Sequence, residues 1–283
     1  MTFRFLAPAP LTHRHPLARR MRLATVVACL LGAGAAVTPA PAGAEPRRDE
    51  YRPATVRLPG STAFGGTPRV GALFATGDGP LTGDFCTAAV VTSPHRNLLL
   101  TAAHCVVAPG SGRARSDLLF VPGYVSGRAP HGRWAVRKVV VDTRWSRHGD
   151  PDYDVAFLIT DPIDGQGRVQ DAVGAEGLAF DARPDRRTAV AVGYPWHSGR
   201  PVHCRSRLTR RGSRQLEFDC PGLPMGTSGS PLLTGVDASG SGPGRVLGVI
   251  GGYQSGGATD DVSYSPYFGR GIESVYRSAV ARG

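Results

Sequence analysis

Three short segments bring together the residue types of nucleophilic acyl transfer. Thr101-Ala102-Ala103-His104-Cys105 follows the apolar run at 98–100. Asp154-Val155-Ala156-Phe157-Leu158 sets a carboxylate at the head of another run, and Gly226-Thr227-Ser228-Gly229-Ser230-Pro231 holds a serine among glycines. A serine hydroxyl is a weak nucleophile until a neighbouring base takes its proton. Histidine titrates near neutrality and suits that task. A carboxylate on the far ring nitrogen holds the imidazole in one tautomer and stabilises the imidazolium. The tetrahedral intermediate needs N–H donors aimed at its oxyanion, and glycine before the serine permits the tight turn that presents them. His104, Asp154 and Ser228 therefore read as base, orienting carboxylate and nucleophile. His104 stands apart from the other histidines because a strand delivers it into a cysteine-anchored corner. Asp150, Asp152 and Asp161 lie near Asp154, but none opens an apolar strand; Ser230 competes with Ser228.

Short elements must hold these residues. The chain has 283 residues with 38 Gly and 24 Pro, a composition that favours many short elements joined by turns. Apolar runs at 70–76, 86–92, 98–101, 118–121, 134–141 and 155–159 predict six strands. After a glycine-containing break at 164–167, runs at 189–193, 202–208, 215–219, 231–233, 246–250 and 264–268 predict six more. The fold class expected from this pattern is all-β, a barrel or sandwich. Ile272, Val275, Tyr276, Ala279 and Val280 recur at helical spacing and predict one amphipathic terminal helix.

The N-terminus reads as an address. Residues 1–44 carry Arg4, Arg14, Arg19, Arg20 and Arg22 and no acid, then an apolar stretch over 23–37 and Ala42-Gly43-Ala44. That order predicts a signal peptide cleaved after Ala44 and a secreted protein. A membrane anchor is the other reading, but the stretch is short and rich in Ala and Gly. Met21 begins a complete signal by itself, so the start is Met1 or Met21, and the Arg19-Arg20 pair leaves the Sec and twin-arginine routes both open. Residues 45–67, rich in Pro, Gly, Arg and Thr, read as a linker or short pro-segment. The chain carries 33 Lys+Arg against 22 Asp+Glu; without residues 1–44 the balance is 28 to 22, a net +6. That is not the charge of a nucleic-acid binder. No apolar run reaches the roughly 20 residues of a membrane span, so no stable membrane insertion is expected. Cys29 leaves with the signal. Cys86, Cys105, Cys204 and Cys220 remain, an even number that implies disulfides with three connectivities open.

The three segments resemble the signatures of trypsin/chymotrypsin-like serine peptidases, and the order His, Asp, Ser is that of chymotrypsin. The Gly-x-Ser-Gly-Ser-Pro form is closer to the bacterial glutamyl endopeptidase-like branch. The resemblance runs from Arg69 to the terminal helix. It implies two six-stranded antiparallel β-barrels, over 68–165 and 166–283, with the active site between them and the terminal helix at the end of the second. It implies that His104 and Asp154 come from the first barrel and Ser228 from the second, and that the Gly226 and Ser228 amides form the oxyanion hole. It also implies a Cys86–Cys105 bridge and, with it, a Cys204–Cys220 bridge.

Departures from the family pattern carry information too. Trypsin has an aspartate before the nucleophile that binds a newly cut N-terminal amine; Thr227 stands there in this chain. A buried ammonium at Val70, released by a cut after Arg69, would lack a partner, so that cut is not expected to act as a switch. The specificity pocket is expected from Leu223, Pro224 and Met225 before the nucleophile and from Gly251, Gly252 and Tyr253 after a late strand. With no acid where trypsin places one, and no histidine near 249–253, the default preference is an apolar or small side chain. Asp150-Pro-Asp-Tyr-Asp154 lacks the glycine of a calcium loop, and no His/Cys spacing suits zinc; neither metal nor organic cofactor is expected. Arg205, Arg207, Arg210, Arg211 and Arg214 read as a solvated hairpin or as an anion-binding tip. The expectation is a secreted, monomeric serine endopeptidase acting on polypeptides through an acyl-enzyme. The alternative is a catalytically silent peptidase-like module that recognises a protein or an anionic wall polymer.

Overall fold

A computed structural model describes residues 60–283 apart from 76–80, 82, 164, 185–186 and 238–240. The expected signal peptide over 1–44 and most of the 45–67 segment lie outside the described residues.

Fourteen strands are present among them. In chain order, β1 is Thr62–Ala63, β2 Val70–Ala75, β3 Asp84–Val91, β4 Leu98–Thr101, β5 Leu118–Pro122, β6 Trp134–Val141 and β7 Ala156–Pro162. They are followed by β8 Gly177–Leu178, β9 Thr188–Gly193, β10 Val202–Arg211, β11 Gln215–Asp219, β12 Pro231–Thr234, β13 Arg245–Val249 and β14 Val262–Pro266. The first lobe is a closed barrel in the order β2-β3-β4-β7-β6-β5, every neighbouring pair antiparallel. Its central strands are buried on both faces. β4, with the sequence LLLT, has no exposed position, which is why these runs are continuously apolar rather than alternating. Leu99, Phe120, Trp134 and Phe157 are all fully buried.

In the second lobe the order is β14-β11-β10-β9-β12-β13, with β8 added in parallel to β13 and β1 paired to β10. These are the six strands expected from the sequence, plus two short additions. The ends of the roll meet without a ladder. Val249 N–H donates to Ser265 Oγ at 2.9 Å and Gly251 N–H to the Tyr264 carbonyl at 2.9 Å. One buried hydroxyl therefore bridges the seam where strand pairing would close it. β1 also draws residues from the expected linker into the fold: Phe64 N–H bonds the Pro201 carbonyl, and the Phe64 ring stacks on His203 at 4.6 Å.

Three α-helices complete the described residues: α1 Thr143–His148, α2 Val169–Val173 and α3 Arg270–Val280. Ile272, Val275 and Ala279 of α3 are buried, as their spacing predicts. This helix packs on the first lobe, its Tyr276 ring tilted against Phe157 at 5.6 Å and its hydroxyl donating to the Thr92 carbonyl at 2.9 Å. A second tie between the lobes is buried. Glu176, with no exposed surface, accepts from Arg69 Nε at 2.9 Å and from Gly244 N–H at 2.6 Å. Its own backbone bonds Val90 and Thr92. Burial pushes the Glu176 carboxyl up, against the opposing pull of the Gly244 amide and Arg69. Cys86 is bonded to Cys105 and Cys204 to Cys220.

Candidate active site

His104 sits on a single helical turn, Ala103–Cys105, directly after β4. Ala102 and Ala103 are fully buried; their small side chains let the turn press into the lobe, and the Cys86–Cys105 bridge ties it to β3. Asp154 ends a second such turn, Pro151–Tyr153, which begins at a capping residue: Asp150 Oδ1 accepts from Asp152 N–H at 3.0 Å. Proline at the first position of that turn has no N–H to leave unsatisfied. Val155 is then fully buried and β7 starts at Ala156.

The two turns meet. Asp154, without exposed surface, takes three hydrogen bonds. His104 N–H donates to Oδ1 at 2.7 Å, His104 Nδ1 lies 2.7 Å from Oδ2, and Gly252 N–H donates to Oδ2 at 2.8 Å. An ionised carboxylate only accepts, so this contact keeps the proton on Nδ1 and leaves Nε2 as the basic nitrogen. The rival aspartates have other duties: Asp150 caps the turn, Asp152 accepts from Gln215 Nε2 at 2.8 Å, and Asp161 pairs with Arg137 on the surface.

Ser228 is half-buried, on the loop before β12. Ser230 is fully buried behind it and cannot meet a substrate. The loop leaves a particular set of donors. Thr227 N–H bonds the Pro224 carbonyl, Gly229 N–H the Ile250 carbonyl and Ser230 N–H the Thr227 carbonyl. Of residues 226–230 only the Gly226 and Ser228 amides donate to no other described group. The Met225 carbonyl, in the same peptide as the Gly226 N–H, is held by Trp196 N–H at 2.8 Å, and this fixes which way that amide points. Gly226 has φ +93°, and a Cβ there would lie 2.3 Å from Trp196 N. A Cβ at Gly229, φ +85°, would lie 2.1 Å from the Thr87 carbonyl oxygen. No side chain fits either place.

Thr87 on β3 fastens this loop from the other lobe. Its N–H donates to the Ser228 carbonyl at 2.8 Å, its hydroxyl to the Gly226 carbonyl at 3.0 Å, and its Oγ1 accepts from Tyr194 N–H at 2.9 Å. Thr227 turns its hydroxyl onto the Pro224 carbonyl at 2.7 Å. Val70 N–H is already bonded to the Thr67 carbonyl.

His104 and Ser228 line one cleft of about 440 Å³. Among the described residues no hydrogen bond of conventional geometry joins Ser228 Oγ to His104; such bonds are often long in unliganded sites and tighten around substrate. Of the residues expected in a specificity pocket, Leu223, Pro224 and Met225 stand on the cleft wall. Gly251, Gly252 and Tyr253 do not. Gly252 is spent on Asp154, Gly251 lies against Ala102 and Asp154, and the Tyr253 ring turns outward onto Tyr264. The opposing wall is the loop at 254–260, which ends at Asp260. Gln254 and Ser255, at φ +51° and +54°, turn the chain inward. Nothing in the sequence marks Asp260 as a wall residue, because its place depends on this turn. Its backbone carbonyl accepts from both Gly222 and Leu223 N–H. Cys86, His104 and Cys105 bring three metal-type ligand atoms close together, but the two sulfurs are bonded to each other and unavailable as thiolates.

Residues 86–249 match the family model described as a trypsin-like peptidase domain. The protease Anisep from Arthrobacter nicotinovorans is 27% identical, with 78% of this chain and 99% of that one covered at a TM-score of 0.66. A thermostable serine protease, AL20, from an extremophilic microorganism is 30% identical, with 77% and 99% covered at 0.64. A Glu endopeptidase structure, 19% identical at a TM-score of 0.61, shares the fold. No curated protein matches the chain.

Proposed function

This chain belongs to the trypsin-like peptidase family, and from that premise we propose that it is a secreted serine endopeptidase whose triad is Ser228, His104 and Asp154. The observation that carries the reading is the His104 Nδ1 to Asp154 Oδ2 contact of 2.7 Å, from a carboxylate with no exposed surface, beside a cleft shared with Ser228. His104 Nε2 removes the Ser228 proton as Oγ adds to the peptide carbonyl carbon. The negative oxygen is received by the Gly226 and Ser228 amides, the two donors of the loop left without partners. The intermediate collapses as His104 returns the proton to the leaving nitrogen, and water repeats the sequence on the acyl-enzyme. Neither metal nor cofactor takes part in these steps. Two disulfides suit an exported protein, and no described helix is long and apolar enough to cross a membrane. We take the domains as assigned from the sequence, with the end of the second segment drawn into the fold by β1: signal peptide 1–44, linker or short pro-segment 45–67, and lobes 68–165 and 166–283, acting as a monomer.

A fluorophosphonate probe tests this reading. The purified protein is expected to label and to cleave within an unstructured polypeptide, and Ser228→Ala to lose the label and about 10⁴–10⁶-fold in kcat while melting as the parent does. A folded parent that neither labels nor cleaves is the silent binding module instead.

A further inference from the structure

Resting on the peptidase reading, we propose that the cleft selects an acidic residue at the first or second position after the scissile bond, and that Arg113 and Arg115 are the selecting groups. His104 hands its proton to the leaving nitrogen, so the departing segment runs past His104 on the side away from the Ser228 loop. A second depression of about 580 Å³ lies on that side. It shares Phe85, Cys86 and His104 with the first and includes no residue of the nucleophile loop. Its floor is the Cys86–Cys105 bridge with Val107, and its rim carries Arg113 and Arg115.

The rim is braced. Val107 and Ala114 form a β-bridge, Arg115 N–H bonds the Val106 carbonyl at 2.7 Å, and Arg113 N–H bonds Ser111 Oγ at 3.2 Å. The Arg115 guanidinium rests on the Phe85 ring at 4.5 Å, which holds it beside the depression and leaves its N–H groups for a ligand. Among the described residues neither guanidinium is paired with a carboxylate. The hairpin arginines differ: Arg211 pairs with Glu217, Arg214 with Asp152, Arg205 bonds the Asp237 carbonyl, and Arg210 lies over Tyr267. Of the two readings of this hairpin, the anion-binding tip is the less favoured, since most of these arginines engage the protein itself. The other depression includes the exposed residue Asp260 and neither of these arginines.

The experiment uses the secreted protein and quenched peptides that share one acyl side and differ after the scissile bond: Asp-Glu, Asn-Gln or Lys-Lys. The acidic peptide is expected to exceed the neutral one about fivefold in kcat/KM at low salt, the scale of two exposed ion pairs, with the gap closing as salt screens it. The Arg113→Gln/Arg115→Gln variant is expected to lose that preference, Arg113→Lys/Arg115→Lys to keep part of it, and Arg207→Gln on the hairpin to leave it intact. Equal rates on the three peptides, or a preference that survives the double glutamine variant, overturn the proposal. Cleavage of a small ester with no leaving peptide separates the two failures. Ester turnover without charge preference removes the groove assignment alone, whereas no turnover and no fluorophosphonate labelling remove the peptidase reading and this inference with it.

Discussion

The two lobes contribute to the cleft by different means. In the closed barrel, His104 and Asp154 sit on two short turns that bond each other, and only one of the three donors to Asp154, Gly252, comes from the second lobe. In the rolled sheet, whose seam is bridged by Ser265, the nucleophile loop takes two bonds from Thr87 on the first lobe, and the Thr87 hydroxyl also accepts from Tyr194 N–H. The His104–Asp154 pair is therefore built mainly within one lobe. The Gly226 and Ser228 peptides, the proposed oxyanion donors, are held by bonds from the other lobe. Order at the nucleophile is delivered by packing across the interface, and a substitution on one lobe can disable chemistry on the other.

The largest test falls on the self-contained half. Asp154→Asn keeps the shape but replaces an acceptor by an amide that must turn its NH2 toward one of three N–H donors. The expected loss is about 10⁴-fold in kcat, the scale of a base left in the wrong tautomer, together with a lower melting temperature. Stopped-flow acylation by an activated ester and a thermal melt read the two effects. An acylation rate near that of the parent would mean that the turn alone orients the imidazole.

Thr87→Val probes the dependent half. Valine preserves the volume and removes the donor to the Gly226 carbonyl and the acceptor for Tyr194 N–H, both buried. Leaving such a group unsatisfied costs about 1–3 kcal/mol. Where that cost falls on the transition state, kcat drops about 5–150-fold. The signature of a positioning role is a fall in kcat with KM nearly constant and recovery in Thr87→Ser. Lost thermal stability with unchanged kcat would mean that the second lobe holds its loop unaided.

What could be read in the chain beforehand follows the same division. His104 after a buried strand, Asp154 before one and Ser228 between glycines each announce themselves within about five residues, because the structure that presents them is local. Thr87 has no such signal: its role comes from facing a loop 139 residues away. Gly252 N–H and the Asp260 wall depend on a loop that passes through left-handed geometry at Gln254 and Ser255, a conformation that residues with side chains seldom adopt and do not announce in sequence. β1 and β8, two residues each, are too short to carry a period. α1 had its signals, with Asp142 accepting from Arg144 N–H at the start and Gly149 at φ 64° at the end, but only six residues between them. The terminal helix was legible because three buried positions repeat along eleven residues.

The smallest effect tests whether every bond across the interface serves the site. Glu176 joins Arg69 to Gly244 away from the cleft, and burial raises its carboxyl above the ordinary range. The folded protein then holds that proton more readily than the unfolded chain, in which a glutamate titrates near about 4.3. Its contribution to stability is complete below that pH and is lost as the pH climbs through the raised folded value. Glu176→Gln keeps an acceptor and has no proton to lose. The melting temperature of the parent minus that of the variant should therefore be largest in acid, shrink through the weakly acidic range and then level off. Because Glu176 touches neither His104 nor the nucleophile loop, kcat at neutral pH should stay within about twofold, in contrast to Thr87→Val. A melting difference that grows with pH would mean that the Arg69 ion pair outweighs burial. A large fall in kcat would mean that lobe docking as a whole, rather than the Thr87 bonds in particular, shapes the oxyanion donors.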